Sequence, residues 1–262
     1  MIYSENYEKK IGFDKIKNFI AEFCLSDLGR DHLSRVAFSN VFSDIQNQLY
    51  NVDELKTILT TDEPFPADDY FNLIPELRRL STPGTFIEID ELINLRLSYA
   101  AIQNILRYLK QREERYPNLN HLASGIMIYS EITRRIDHIL DEKGLIRDDA
   151  SVELKKIRNS LVSVQLQIDK RTRQILLSLK KDSIIQQDIE MTVRNGRCVI
   201  PVAASNKRKI KGFVHDESAT GQTVFIEPAE IFEMNNKLRE LENAERKEII
   251  KILIIFTDFI RP

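Results

Sequence analysis

The chain has 262 residues, 42% hydrophobic and 30% charged, which is enough apolar material for one large domain or two small ones with buried cores. Only 8 Gly and 8 Pro are present, too few breakers for a sandwich, a barrel or a disordered chain. The formal net charge is −2, yet residues 1–146 carry 17 Lys+Arg against 23 Asp+Glu while residues 147–262 carry 21 against 17, so a polyanion is expected to meet the back half.

The first 140 residues read as successive helices. Phe13, Ile16, Ile20 and Phe23 recur at helical spacing behind Gly12, and Ile45, Leu49, Val52, Leu55 and Ile58 repeat the pattern until Pro64 and Pro66. Asp90 to Leu109 carries a stripe of Leu92, Leu95, Tyr99, Ile102, Leu106 and Leu109. A shorter helix through Ile132, Ile136 and Leu140 stops at Gly144. Short connections between such segments predict a multi-helix core bundle over 1–146.

The texture then changes. Asp148 to Lys181 contains neither Gly nor Pro, and Leu154, Ile157, Leu161, Val164 and Ile168 fall 3, 4, 3 and 4 residues apart. That is a heptad seam on a helix of roughly 50 Å. A second unbroken stretch carries Ile231, Met234, Leu238 and Leu241, then Ile249, Ile252, Phe256 and Phe259. The two predict an ascending lever helix (147–183) and a returning one (229–262) in an antiparallel coiled coil. Two ordinary bundle helices are the plainer alternative.

Between them, 184–228 is β in character. Ile189 to Val193 and Cys198 to Val202 flank Arg194-Asn195-Gly196-Arg197, and Asn-Gly between such runs signals a hairpin, because a type I′ turn needs positive φ at both central residues. Pro201 predicts a free edge there. Gly212 to His215 and Thr223 to Ile226 supply two further short strands. The expected fold class is mainly α, with a small β-rich clamp tip at the end of the lever.

From Met191 to Val214 there are six basic residues and no acidic ones: Arg194, Arg197, Lys207, Arg208, Lys209 and Lys211. Positive charge gathered at a tip suits nucleic-acid phosphate, which demands charge and little sequence information; it equally suits a solvated face protecting a sheet edge. His215-Asp216-Glu217 offers an imidazole and two carboxylates, but neighbours on a strand point to opposite faces, so no metal or catalytic site is expected. His32, His121 and His138 are scattered on helical segments and read as structural. Cys24 and Cys198 match no metal-ligand spacing and read as core thiols. No G-x-x-x-x-G-K-S/T phosphate loop and no G-x-S-x-G elbow occurs. With no signal peptide and no run of membrane-spanning length, the expected setting is cytoplasmic, without a membrane partner. Ser218 to Gln222 is read either as a binding loop or as a tight connection.

Three ordered blocks, Arg194-Asn195-Gly196-Arg197 with Val199 to Val202, Lys209 to Val214, and His215 to Pro228, resemble MutS-two, the recombination-associated branch of the MutS family. Asn235-Asn236, Leu238, Leu241-Glu242 and Glu245 continue the similarity, and Gly12 to Ile16 and Leu28-Gly29-Arg30 fit the family's start. The resemblance spans essentially the whole chain, tightly at 194–228. It implies a non-enzymatic core, lever and clamp region that binds DNA, with the six basic residues above as backbone contacts. The full-length family members bind branched DNA and suppress homologous recombination; they form homodimers, carry ATPase domains that use ATP and Mg, and end in an Smr nuclease domain. A ribosome-binding arm in the rescue of collided ribosomes is the alternative. The chain stops at Arg261-Pro262, ahead of the family's ATPase, so ATP and nuclease chemistry are expected of the parent protein, and no catalytic, cofactor-binding or metal-ligating residue is expected here.

Overall fold

The computed structural model describes residues 7–60, 64–66 and 70–261, so the sequence-derived domain limits at residues 1 and 262 lie outside the described residues. Helices α1 (Tyr7–Lys10), α2 (Phe13–Ala21), α3 (Asp27–Arg35), α4 (Phe42–Thr60), α5 (Ile74–Leu80), α6 (Ile89–Lys110), α7 (Pro117–Ala123), α8 (Ser130–Ile139) and α9 (Val152–Lys181) come first. Strands β1 (Thr192–Arg194), β2 (Arg197–Ala203), β3 (Gly212–Glu217) and β4 (Thr223–Pro228) follow, and α10 (Ala229–Ile260) closes the described chain. The fold is mainly α with one small antiparallel sheet, as composition and periodicity predict. Contacts divide it into two units, Met1–Leu140 with Leu253–Pro262, and Asp141–Ile252.

In the first unit the buried side chains lie chiefly on α6 (Leu92, Ala101, Tyr108, Leu109), on α8 (Ile136, Ile139) and at the end of α10 (Leu253, Phe256). Ile58, Tyr108, Leu109 and Tyr116 form one cluster. Glu54 of α4 accepts from the backbone N–H groups of Asn118 (3.0 Å) and Leu119 (2.9 Å), satisfying two of the donors that every helix start leaves free, here those of α7. Ser98 and Ala101, outside the expected α6 stripe, are buried as well; the Ser98 hydroxyl accepts from the Phe71 N–H at 2.9 Å.

Two predicted stripes do not close over a core. Ile16, Ile20 and Phe23 are exposed, and so are Ile45, Leu49, Val52 and Leu55 along α4, where Ile58 alone of that stripe is buried. A 3.6-residue period creates an apolar face but does not supply its partner. Phe259, expected on the α10 seam, is 37% exposed; the Arg135 guanidinium covers its ring at 3.9 Å from the centroid.

The second unit is built on α9 and the greater part of α10. A helix of 30 residues reaches about 45 Å, and its start is fixed by Ser151, whose Oγ accepts from the Leu154 N–H at 3.0 Å. The cross-helix partners define an antiparallel pair: Ser151 with Glu248 at 2.8 Å, Arg158 with Glu245 at 2.7 Å, and Arg171 with Glu230. As one number rises the other falls. Ile168 and Ile231 meet in a cluster with Val164, Met234 and Leu238, so the predicted seams of both helices face one another at this end. Leu154 and Ile157 are buried further down, while Leu161 is only half-buried.

Ser151→Ala removes both the cap and the Glu248 contact. We expect a loss of about 1 kcal/mol, read as a lowered thermal midpoint; an unchanged midpoint means the α9 start is held by packing alone.

Candidate nucleic-acid interface

Asn195 (φ 52°) and Gly196 (φ 73°) both adopt the left-handed conformation, which is the type I′ geometry predicted from the sequence. Arg194 and Arg197 form the closing pair of this hairpin, and the pairing of β1 with β2 ends at Thr192↔Val199. β1 is shorter than the predicted Ile189–Val193 run because Ile189 packs against the apolar cluster of Ile200, Val202, Val224 and Ile226. Beyond Val199, β2 pairs only with β4, so Pro201 removes no donor from a second ladder. The strand order is β1-β2-β4-β3.

Alternation gives this sheet two distinct faces. Ile200 opposite Ile226, and Val202 opposite Val224, occupy one face and pack with Leu179 and Ile185. Arg194, Arg197, Pro201, Phe225, Glu227 and Phe213 share the other, as the registers Arg194↔Arg197, Pro201↔Phe225 and Phe213↔Glu227 require. At Gly212 the backbones of β3 and β4 approach so closely that a Cβ would collide with the Glu227 carbonyl, a position that only glycine fits.

The six basic residues occupy three kinds of place. Arg197 is turned inward. Its Nη1 donates to both carboxylate oxygens of Glu227 at 2.9 Å, and its Nη2 donates to Asn236 Oδ1 at 2.7 Å. Arg194 is exposed, with its guanidinium 4.5 Å from the Phe225 ring centroid and its Nε 4.0 Å from Asp216. Lys207, Arg208 and Lys209 sit on a 3-10 turn, Ala204–Lys209, rather than in an irregular loop. Lys211 lies just before β3. Lys207 has Glu217 at 3.9 Å; among the described residues no ion pair engages Arg208, Lys209 or Lys211, and all four side chains are exposed. Asn206 ties the turn down by donating to the Ile184 carbonyl at 2.8 Å.

A buried network lies beneath the second face. Glu227 is fully buried (0% exposed) and receives, besides Arg197, the Asn235 amide at 2.6 Å and His215 Nε2 at 2.5 Å. His215 shares the Phe213 and Glu227 face by alternation, and the β3–β4 register shift between Val214 and Asp216 brings Asp216 opposite Phe225 on that face as well. Asp216 lies 4.0 Å from Arg194 and Glu217 lies 3.9 Å from Lys207, and among the described residues no three His, Cys, Asp or Glu side chains gather as metal ligands. Cys198 is buried, and that burial, followed by the nearby Asp169 and Glu227 charges, pushes its thiol up; it is a core thiol as expected. Cys24 is only half-buried, a correction to the same expectation. Ser218 to Gln222 is held by its own backbone: the Ser218 N–H donates to the Thr223 carbonyl (2.8 Å), and the Gly221 N–H to the Ser218 carbonyl (2.8 Å).

This chain is similar to proteins named endonuclease MutS2. It is 32% identical to the one from Staphylococcus haemolyticus over 253 residues, 31% to the one from Thermotoga neapolitana over 255 residues, and 29% to the one from a Geobacillus species over 251 residues. These alignments cover 95%, 97% and 95% of this chain and 32% of each relative, so the chain spans about a third of the length of the curated relatives it matches. No family profile matches it. No helix among the described residues is long and apolar enough to cross a membrane.

Sequence reasoning singled out the exposed cations and missed the carboxylate under them. Glu227 follows Ile226 in an apolar strand and carries no local sign of burial. Arg194 and Arg197 look equivalent in sequence because both flank the turn; only the partner 30 residues away separates them.

Proposed function

We propose that this chain is the core, lever and clamp region of a MutS-two-type protein, and that its β tip holds DNA by phosphate contacts from Arg208, Lys209 and Lys211, aided by Lys207 and Arg194. The observation that carries this reading is the group of exposed cations around one 3-10 turn, three of them without an ion-pair partner among the described residues. Exposed cations offer charge without sequence readout, which is what a phosphate backbone requires. Arg197 is not among the contacts: its guanidinium is committed to Glu227 and Asn236, and it supports the surface instead.

Supporting the reading further, the sheet adjoins a long antiparallel helix pair bridged by the ion pairs Arg158–Glu245 and Arg171–Glu230, the arrangement expected of a lever. The proposed target is branched DNA, and the proposed outcome is suppression of homologous recombination. ATP and Mg binding, nuclease chemistry and homodimer formation are proposed for the longer protein, at residues outside this chain; no residue here is assigned to them.

The test is competition. Fluorescence anisotropy of a labelled four-way DNA junction with this chain is expected to be displaced by unlabelled junction at lower concentration than by linear duplex, and only weakly by ribosomes. Displacement by ribosomes at lower concentration than by junction overturns the DNA assignment in favour of a ribosome-binding arm.

A further inference from the structure

The second face of the sheet carries aromatic surface beside the cations. Phe213 is 53% exposed. One side of its ring rests against Phe232, with centroids 4.9 Å apart and the planes tilted by 40°. Phe232 in turn lies under the Arg197 guanidinium, 5.3 Å from its centroid. The same guanidinium is locked by Glu227 and Asn236, so Phe213 is buttressed from behind by groups that are themselves fixed. Across the sheet, Arg194 spreads over Phe225 as a second flat surface. Ile210 is extended and buried in the apolar cluster; alternation from it sends Lys211 and Phe213 to the opposite face.

A cation that can neutralise a phosphate, two residues from an exposed and supported aromatic ring, is the pairing that holds single-stranded nucleic acid. A duplex keeps its bases stacked on each other and gives such a ring nothing to cover. We propose that Phe213 stacks on an unpaired nucleobase while Lys211 meets the flanking phosphate, so that the tip prefers DNA with unpaired nucleotides over continuous duplex. The inference rests on the phosphate-binding reading above and adds base stacking to it.

The test uses this chain, an oligothymidylate of about 15 nucleotides, the matching oligouridylate, and a duplex of the same length, each followed by anisotropy. Phe213→Leu keeps the apolar contact with Phe232 and removes the π face; Phe213→Trp keeps both. We expect Phe213→Leu to weaken both single strands roughly 5- to 150-fold, the range for losing one base–aromatic stack. Duplex affinity stays within about twofold, and Phe213→Trp restores single-strand binding. Stronger wild-type binding to oligothymidylate than to oligouridylate identifies DNA as the source of the base, and the reverse order overturns that choice. Equal losses on single strand and duplex overturn stacking and leave Phe213 a support for the tip. Unchanged single-strand binding by Phe213→Leu, with duplex binding intact, removes the stacking proposal alone. No wild-type binding to any probe removes the phosphate-binding reading with it.

Discussion

Arg197→Ala is expected to destabilise the β tip by about 3–5 kcal/mol, the loss typical when one member of a buried ion pair is removed. The carboxylate it leaves behind is fully buried, with His215 and Asn235 its remaining partners among the described residues. An uncompensated charge in a low-dielectric interior is the costly outcome; the pair itself need contribute little against an apolar replacement of similar volume. The double variant Arg197→Met with Glu227→Leu therefore recovers most of the loss, whereas Glu227→Leu alone strands the guanidinium. Native-state hydrogen exchange reads both effects at the amides of β2 and β4, which pair from Ile200↔Ile226 to Ala203↔Thr223. Equal exchange rates in Arg197→Ala and the parent chain contradict this account of the network.

Replacing Lys207, Arg208, Lys209 and Lys211 together with Gln is expected to leave the fold intact and to weaken DNA binding roughly 100- to 1,000-fold at about 0.1 M salt, if each free cation neutralises one phosphate. The effect divides unevenly. Arg208, Lys209 and Lys211 have no ion-pair partner among the described residues, whereas Lys207 already has Glu217 at 3.9 Å. Lys207→Gln alone should then cost least of the four single variants. Arg194→Gln should also cost less than Arg208→Gln, because Asp216 lies 4.0 Å from its Nε and offsets part of its charge. A uniform loss across all five positions argues against specific phosphate contacts and for a diffuse field around the tip.

Legibility in the sequence followed the range of the interaction that fixes each feature. The hairpin at Asn195-Gly196 was readable because the constraint, two successive positive φ angles, acts within four residues. The two long helices α9 and α10 were readable because nothing breaks them and each repeats its own apolar seam; that Arg158 meets Glu245 and Arg171 meets Glu230 then follows from folding one helix back on the other. The apolar stripes of α2 and α4 were legible as helix faces but not as exposed ones, since burial depends on a partner surface that periodicity does not encode. In the candidate site the cations were visible as a composition bias, yet the sequence could not distinguish Arg194, open on its strand, from Arg197, drawn to a buried Glu227. That His215 faces the same carboxylate is equally a property of the β3–β4 register, which pairs Phe213 with Glu227, and register is set by the packed face rather than by the three residues His215, Asp216 and Glu217.

Neutralisation of DNA phosphates by the exposed cations of the tip leaves a signature in the salt dependence of binding. The most direct measurement is the salt dependence of junction binding by anisotropy, for the parent chain and the fourfold Gln variant in parallel. A steep linear fall of log K with log salt is expected for the parent chain, and a slope smaller in magnitude by roughly 3 for the variant, close to 0.9 for each of the three cations without an ion-pair partner among the described residues. Identical slopes for the two proteins contradict it.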